Sequence, residues 1–291
     1  VRWVEEALTL PLRWRRPRRI FVNSMSDLFH EMVPDEWIAR VFAVMLLAPR
    51  HEFQVLTKRP ERMATLLNKP AFDAHVESQA YALSRENAPD LLAYESIQKV
   101  GIKWPLPHVH LGVSVEDQPT ADARIPLLLQ TPAAVRIVSY EPALEAVDFR
   151  RWLPIGPHTC APGCDYTGHP SGPFLDWLIV GGESGSSNAR PCDLAWIRSA
   201  VAQCKAAGVA VFVKQLGARP IDGALRDVMC RGQRHYTRPA DDPFIADCQA
   251  RIADGRAPAY AVVPHALKLR HRAGADPAEW PADLRVQEWP T

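Results

Sequence analysis

Val109-His110-Leu111-Gly112-Val113-Ser114-Val115 and Val135-Arg136-Ile137-Val138 decide the fold. Both are short, nearly continuous apolar runs rich in β-branched residues, the composition of parallel strands covered on both faces. Between them, residues 122–130 have helical spacing, with Pro126 near the start. A strand, a helix and a second strand at this interval make one right-handed βαβ unit.

The same pattern extends in both directions. Apolar runs at 20–22, 53–56, 177–180 and 209–213 read as further buried strands. Pro34 fits a first helical turn with Asp35 and Glu36 on the positive end, followed by an apolar face of Trp37, Ile38, Val41, Phe42, Met45 and Leu46. Pro60 opens a short helix to Leu67, and Asp193 caps another that stops at Gly208. The rhythm predicts a single α/β domain over 1–291, a parallel (β/α) partial or TIM-like barrel. An open doubly wound sheet is the second choice. Segments 71–103 (helical) and 221–267 (irregular) read as insertions, and 156–173 as a Cys/His loop.

Composition bounds the function. The chain has 291 residues, 34 basic against 33 acidic, and so a formal charge of +1. That argues against holding nucleic acid by bulk charge, while leaving room for a local patch. With 47% hydrophobic and 23% charged residues it is an ordinary globular chain. No run of 18 apolar residues and no secretory h-region occur, so no membrane association and a cytoplasmic location are expected.

Each apolar run ends on polar residues, and in a parallel barrel all those ends share one face, where ligands bind. Asn23, Ser26 and Asp27 follow the first run, Thr57 and Lys58 the second, and Ser114 and Glu116 close the third. Glu141 follows the fourth; Gly181, Gly182, Glu183 and Ser184 follow the fifth; Lys214 and Gln215 end the sixth. Glu141, Glu183 and Lys214 are the catalytic candidates and the others the cofactor-binding ones. Lys58 and Lys214 are two of only seven lysines, and each could meet an anionic ligand or pair with Glu116, Glu141 or Glu183.

Cys160 and Cys164, with His169 nearby, have the spacing of a metal knuckle and form a candidate zinc site. Six cysteines are too sparse for a disulfide scaffold and read as reduced thiols. Arg13, Arg15, Arg16, Arg18 and Arg19 surround Trp14. This run reads as a solvated approach to the first strand, with nucleic-acid contact as the alternative.

A resemblance extends along most of the chain. It is carried by Pro11-Leu12-Arg13-Trp14 leading into Arg19-Ile20-Phe21-Val22-Asn23-Ser24-Met25-Ser26-Asp27, and by Gln54-Val55-Leu56-Thr57-Lys58-Arg59. Ser139-Tyr140-Glu141-Pro142, Ala189-Arg190-Pro191, Val213-Lys214-Gln215 and Asp276-Pro277-Ala278-Glu279-Trp280-Pro281 continue it. These stretches resemble a phage-associated family of uncharacterised proteins with an N-terminal three-cysteine motif. The resemblance implies a radical-S-adenosylmethionine-like barrel that uses S-adenosylmethionine and an iron–sulfur cluster; it leaves the substrate unknown, and a nucleic acid or protein fits the phage association. Asn23, Ser114, the Gly181–Gly182 backbone, Glu183 and Lys214 would then hold the methionyl or ribose groups. The three cysteines should precede Pro11, where this chain has ten residues and no cysteine. The expectation is therefore an N-terminally incomplete enzyme, short of its first β/α unit and inactive without the missing segment. Two other readings stand beside it: a barrel hydrolase with Glu141 and Glu183 as acid/base pair, and a non-catalytic binding module. Burial of either carboxylate against Lys214 speaks against the hydrolase.

Overall fold

The computed structural model describes residues 3–86, 94–95, 97–99, 101–154, 172–185, 188–257, 260–271 and 273–290. Strands run in chain order as β1 (Arg19–Val22), β2 (Glu52–Thr57), β3 (Val109–Val115), β4 (Val135–Tyr140), β5 (Trp177–Gly181), β6 (Cys192–Asp193) and β7 (Ala210–Gln215). All but β6 form one six-stranded sheet in the order β1-β2-β3-β4-β5-β7, every pair parallel. A doubly wound sheet reverses its strand order at a switch point; this one never does. Successive right-handed crossovers put the helices on one side, and the sheet curls into a half-barrel.

The two faces differ in burial. Phe53, Val55, Leu111, Val113, Val138, Leu178, Val180, Val211 and Val213 point to the convex, helix-covered face and are buried. Their in-strand neighbours Gln54, Leu56, Ser114, Ile179 and Phe212 point the other way and are only partly buried. The near-continuous apolar runs led to an expectation of cover on both faces. In a half-barrel no opposing strands fill the concave side, so these residues remain reachable, although Ile137 and Trp177 on the same side are buried. Gly112 keeps this face smooth, since a Cβ there would lie 2.5 Å from both the Ile137 carbonyl oxygen and Leu56 Cδ2.

Helix ends follow local rules. The helix Gln118–Leu129 begins four residues earlier than its apolar spacing indicated, because Asp117 and Thr120 form a reciprocal capping box. Asp193 accepts the Ala195 N–H and caps the helix Leu194–Ala207, which ends on Gly208 at φ 70°. In the first expected insertion, Phe72–Glu86 is helical.

The second expected insertion is regular rather than irregular. β8 (Pro220–Cys230) pairs antiparallel with β9 (Gln233–Pro239) and β10 (Tyr260–Ala266), with the helix Pro243–Ala253 between the last two. Arg231 (φ 48°) and Gly232 (φ 78°) make the turn, and positive φ at both central residues is what a type I′ hairpin requires. Arginine in place of the usual asparagine hid that signal. Buried Asp227 ties the hairpin together through Thr237 (2.6 Å), His265 (2.9 Å) and Arg234 (3.0 Å).

The last residues shape the floor of the half-barrel. Val286 and Glu288 bond antiparallel to the free edge of β7, through Val213 N–H to Val286 O (2.8 Å) and Glu288 N–H to Val211 O (2.9 Å). This places Trp289 against Trp177 (4.7 Å) and Phe212 (5.2 Å), with the Arg19 guanidinium 3.8 Å above its ring. Arg19 opens β1, so this cation–π contact joins the two edges of the sheet at its base. Among the described residues no helix is long and apolar enough to cross a membrane.

Candidate functional site

The concave face holds a cavity of about 910 Å³ that reaches up to the carboxyl ends of the strands. Its floor is apolar: Phe21, Leu56, Trp177, Ile179, Phe212 and Trp289. Its mouth is polar. Asn23, Ser26, Asp27, Thr57, Lys58, Ser114, Glu141, Gly182, Glu183, Ser184, Lys214 and Gln215 all line it, each named from the sequence. Glu116 stands just behind the lining, paired with Lys58, and Gly181 lies under the Glu141 carboxylate. Parallel topology brings these residues together, because six loops that follow six neighbouring strands must emerge at one end.

Four ion-paired carboxylates ring the mouth. After β1, the Asp27 carboxylate accepts hydrogen bonds from Thr57 Oγ1 (2.8 Å), Phe29 N–H (2.9 Å), Lys58 N–H (3.0 Å) and Arg59 Nη1 (3.0 Å). Burial pushes its pKa up, but the Lys58 N–H, Thr57 hydroxyl and further donors outweigh burial and hold it below the ordinary value. With four donors satisfied, Asp27 clamps the first loop to the second. Next, Lys58 meets Glu116, whose other oxygen takes Arg124 at 3.0 Å; Arg124 also donates to the Ser114 carbonyl at 2.6 Å.

Across the mouth, Glu141 accepts from Lys214 Nζ (3.0 Å) and Gln215 Nε2 (2.6 Å), and Gln215 also donates to the Gly182 carbonyl (3.0 Å). Glu183 accepts from the backbone and side chain of Arg190, both at 2.8 Å. The Arg190 side chain, then its backbone N–H, holds the Glu183 pKa below the usual carboxylate range.

Burial within the pairs is asymmetric. The Asp27, Glu116 and Glu141 side chains are 15, 12 and 16% exposed against 40, 55 and 55% for their partners Arg59, Lys58 and Lys214, while Glu183 at 32% faces Arg190 at 56%. The acids are anchors and the cations face solvent. A ligand meeting this rim therefore encounters ammonium and guanidinium groups already oriented by carboxylates less exposed than they are.

The glycines read as a ligand nest also have a packing role. A Cβ on Gly182 would lie 2.4 Å from the Leu216 carbonyl oxygen, so glycine there lets the β5 and β7 ends pack backbone to backbone. Sequence reasoning did not pick out Arg59, Arg190 or the aromatic floor as site residues. Arg59 directly follows Lys58 at a strand end, which is a usable signal. Trp289 carries none, since its place depends on the tail folding back on β7.

The metal candidates Cys160, Cys164 and His169 lie outside the described residues. Among the described residues no group of three or more His, Cys, Asp or Glu could hold a metal. Of the described cysteines, Cys192 and Cys204 are buried, and burial pushes each thiol up to about 12.

The family model described as "Protein of unknown function (DUF5131)" matches residues 1–257. The chain belongs to that uncharacterised family. No curated protein and no solved structure matches it.

Proposed function

We propose that this family member binds S-adenosylmethionine on the concave face of its half-barrel, as the body of a radical-S-adenosylmethionine-like enzyme. The observation that carries the reading is the pairing of an aromatic floor with a rim of exposed, pre-oriented cations. A nucleoside offers a planar base to Phe212 and Trp289, whose rings are partly exposed over the buried Trp177, and a methionyl carboxylate meets Lys214 or Lys58. The ligand's ammonium group has the Ser114 and Ser139 hydroxyls and the outer lone pairs of Glu141 within the same cavity. At about 910 Å³ the cavity lies at the upper end of small-molecule sites, room for this ligand and a second reactant.

A reduced iron–sulfur cluster is what supplies the electron that cleaves S-adenosylmethionine in such enzymes. The described cysteines do not fit a cluster: Cys192 and Cys204 are buried with raised pKa values, and no metal-binding group forms among the described residues. What these residues supply is binding, orientation and exclusion of water from the floor.

An acid/base pair of Glu141 and Glu183 is less well supported. A general acid needs a raised pKa, whereas Arg190 holds Glu183 low and Lys214 neutralises a largely buried Glu141.

The test is calorimetric titration of S-adenosylmethionine into the wild type and the Lys58→Ala/Lys214→Ala double variant. Saturable binding, weakened at least about tenfold in the variant, is expected, the size of one lost charge-assisted contact. No binding at millimolar ligand, or equal binding by both proteins, would overturn the reading.

A further inference from the structure

We infer that the arginine run before β1 is a binding surface for the phosphate backbone of a nucleic acid, separate from the concave cavity. The argument begins with charge. Without Arg13, Arg15, Arg16, Arg18 and Arg19, the rest of the chain has 29 basic against 33 acidic residues. This segment is the positive pole of an otherwise slightly acidic molecule, a distribution that the formal +1 conceals.

Geometry supplies the second part. Most other arginines of the described structure hold a carboxylate, as Arg40, Arg59, Arg124, Arg190 and Arg198 do. Arg13, Arg15 and Arg16 are exposed, and none of them meets a carboxylate among the described residues. A solvated approach to a strand has no need of five arginines in seven positions, and like charges so close repel each other unless a polyanion joins them.

The third part is rigidity. Arg50 Nε donates to the Trp14 carbonyl at 2.7 Å, and its Nη2 donates to Leu12 (2.7 Å) and Pro11 (3.0 Å). His51 Nε2 lies 2.9 Å from the Pro11 carbonyl, and its Nδ1 accepts the Arg18 N–H at 3.1 Å. The Arg18 guanidinium stacks 4.5 Å over Trp14. The backbone beneath the free arginines is thus tied down at both ends, so little ordering cost remains when an anion binds. Closely spaced, unpaired guanidinium groups on an anchored backbone match the repeating charge of a phosphodiester chain, and guanidinium is the side chain suited to bidentate phosphate contact.

The experiment is fluorescence anisotropy with a labelled oligonucleotide, single-stranded in one arm and duplex in the other, across about 50 to about 200 mM salt. Three phosphates neutralised over that range weaken binding about twenty-fold for a single strand and about forty-fold for a duplex. Replacing Arg13, Arg15 and Arg16 together with glutamine should flatten this salt dependence and lower affinity at least about tenfold. The melting temperature should not change, because these exposed side chains make no hydrogen bond or ion pair among the described residues. The arm with the higher affinity identifies the strandedness of the partner. Three results would overturn the inference: no binding at the lowest salt, equal binding by the triple variant, or equal binding of polyglutamate or anionic lipid vesicles.

Discussion

Leu178 and Ile179 are neighbours in β5, yet one belongs to the fold and the other to the site. Leu178 is fully buried among the convex-face helices, while Ile179 is partly exposed on the cavity floor. The contrast recurs in β2 and β7, whereas β4 is buried on both faces, Ile137 and Ser139 as well as Val138. One set of alternate residues generates the hydrophobic stabilisation, and the other can serve a ligand because no opposing strand covers it. Strand ends add a third category, in which buried carboxylates fix exposed cations. Stability and binding should therefore separate cleanly by position.

The largest effect tests the convex side. Leu178→Ala should cost about 2–5 kcal/mol in urea denaturation, from lost transfer energy and a residual cavity. Ile179→Ala should cost about 1 kcal/mol, since its side chain is only partly removed from water. Similar losses at both positions would erase the distinction between the faces.

Asp27→Asn comes next, at about 1–3 kcal/mol, because it leaves an amide facing donors that a carboxylate satisfied. The native carboxyl titrates below its unfolded value. Its contribution is therefore present above the unfolded pKa of about 3.9 and disappears as pH falls through the lower native value. The gap between wild type and variant, measured by denaturation at several pH values, should be full at neutrality and narrow below about pH 4. A gap that widens in acid would contradict the clamp.

Gly182→Ala should cost about 1–3 kcal/mol, since the new methyl meets the Leu216 carbonyl rather than a movable side chain. The smallest stability change belongs to Lys58→Ala and Lys214→Ala, each within about 0.5 kcal/mol by thermal melting. Glu116 retains Arg124 and Glu141 retains Gln215, so neither acid is stranded. A large loss there would make the rim cations structural.

Much of this was legible in the sequence, for identifiable reasons. Buried parallel strands must be apolar and short, so the six runs stood out, and the polar residues that follow them had to converge. The strand rhythm allowed a partial barrel, which the half-barrel matches, but which concave residues stay open was not legible, because Leu56, Ile179 and Phe212 are as apolar as their buried neighbours. Nor was the partner of each lysine: Lys58 with Glu116 and Lys214 with Glu141 are set by strand register. Trp289 reached the floor through backbone pairing of the tail with β7, which leaves no mark in local sequence. The β8–β9 hairpin was hidden for the opposite reason, an atypical residue at a turn whose geometry is ordinary.

The central claim is that the strand-end rim is where the ligand binds. Amide hydrogen exchange with and without S-adenosylmethionine, resolved to peptides, tests it most directly. Protection is expected at residues 23–27, 57–59, 181–185 and 214–217 together, with the convex helices unchanged. Protection absent from these four loops, or confined to the β8–β10 sheet, would contradict it.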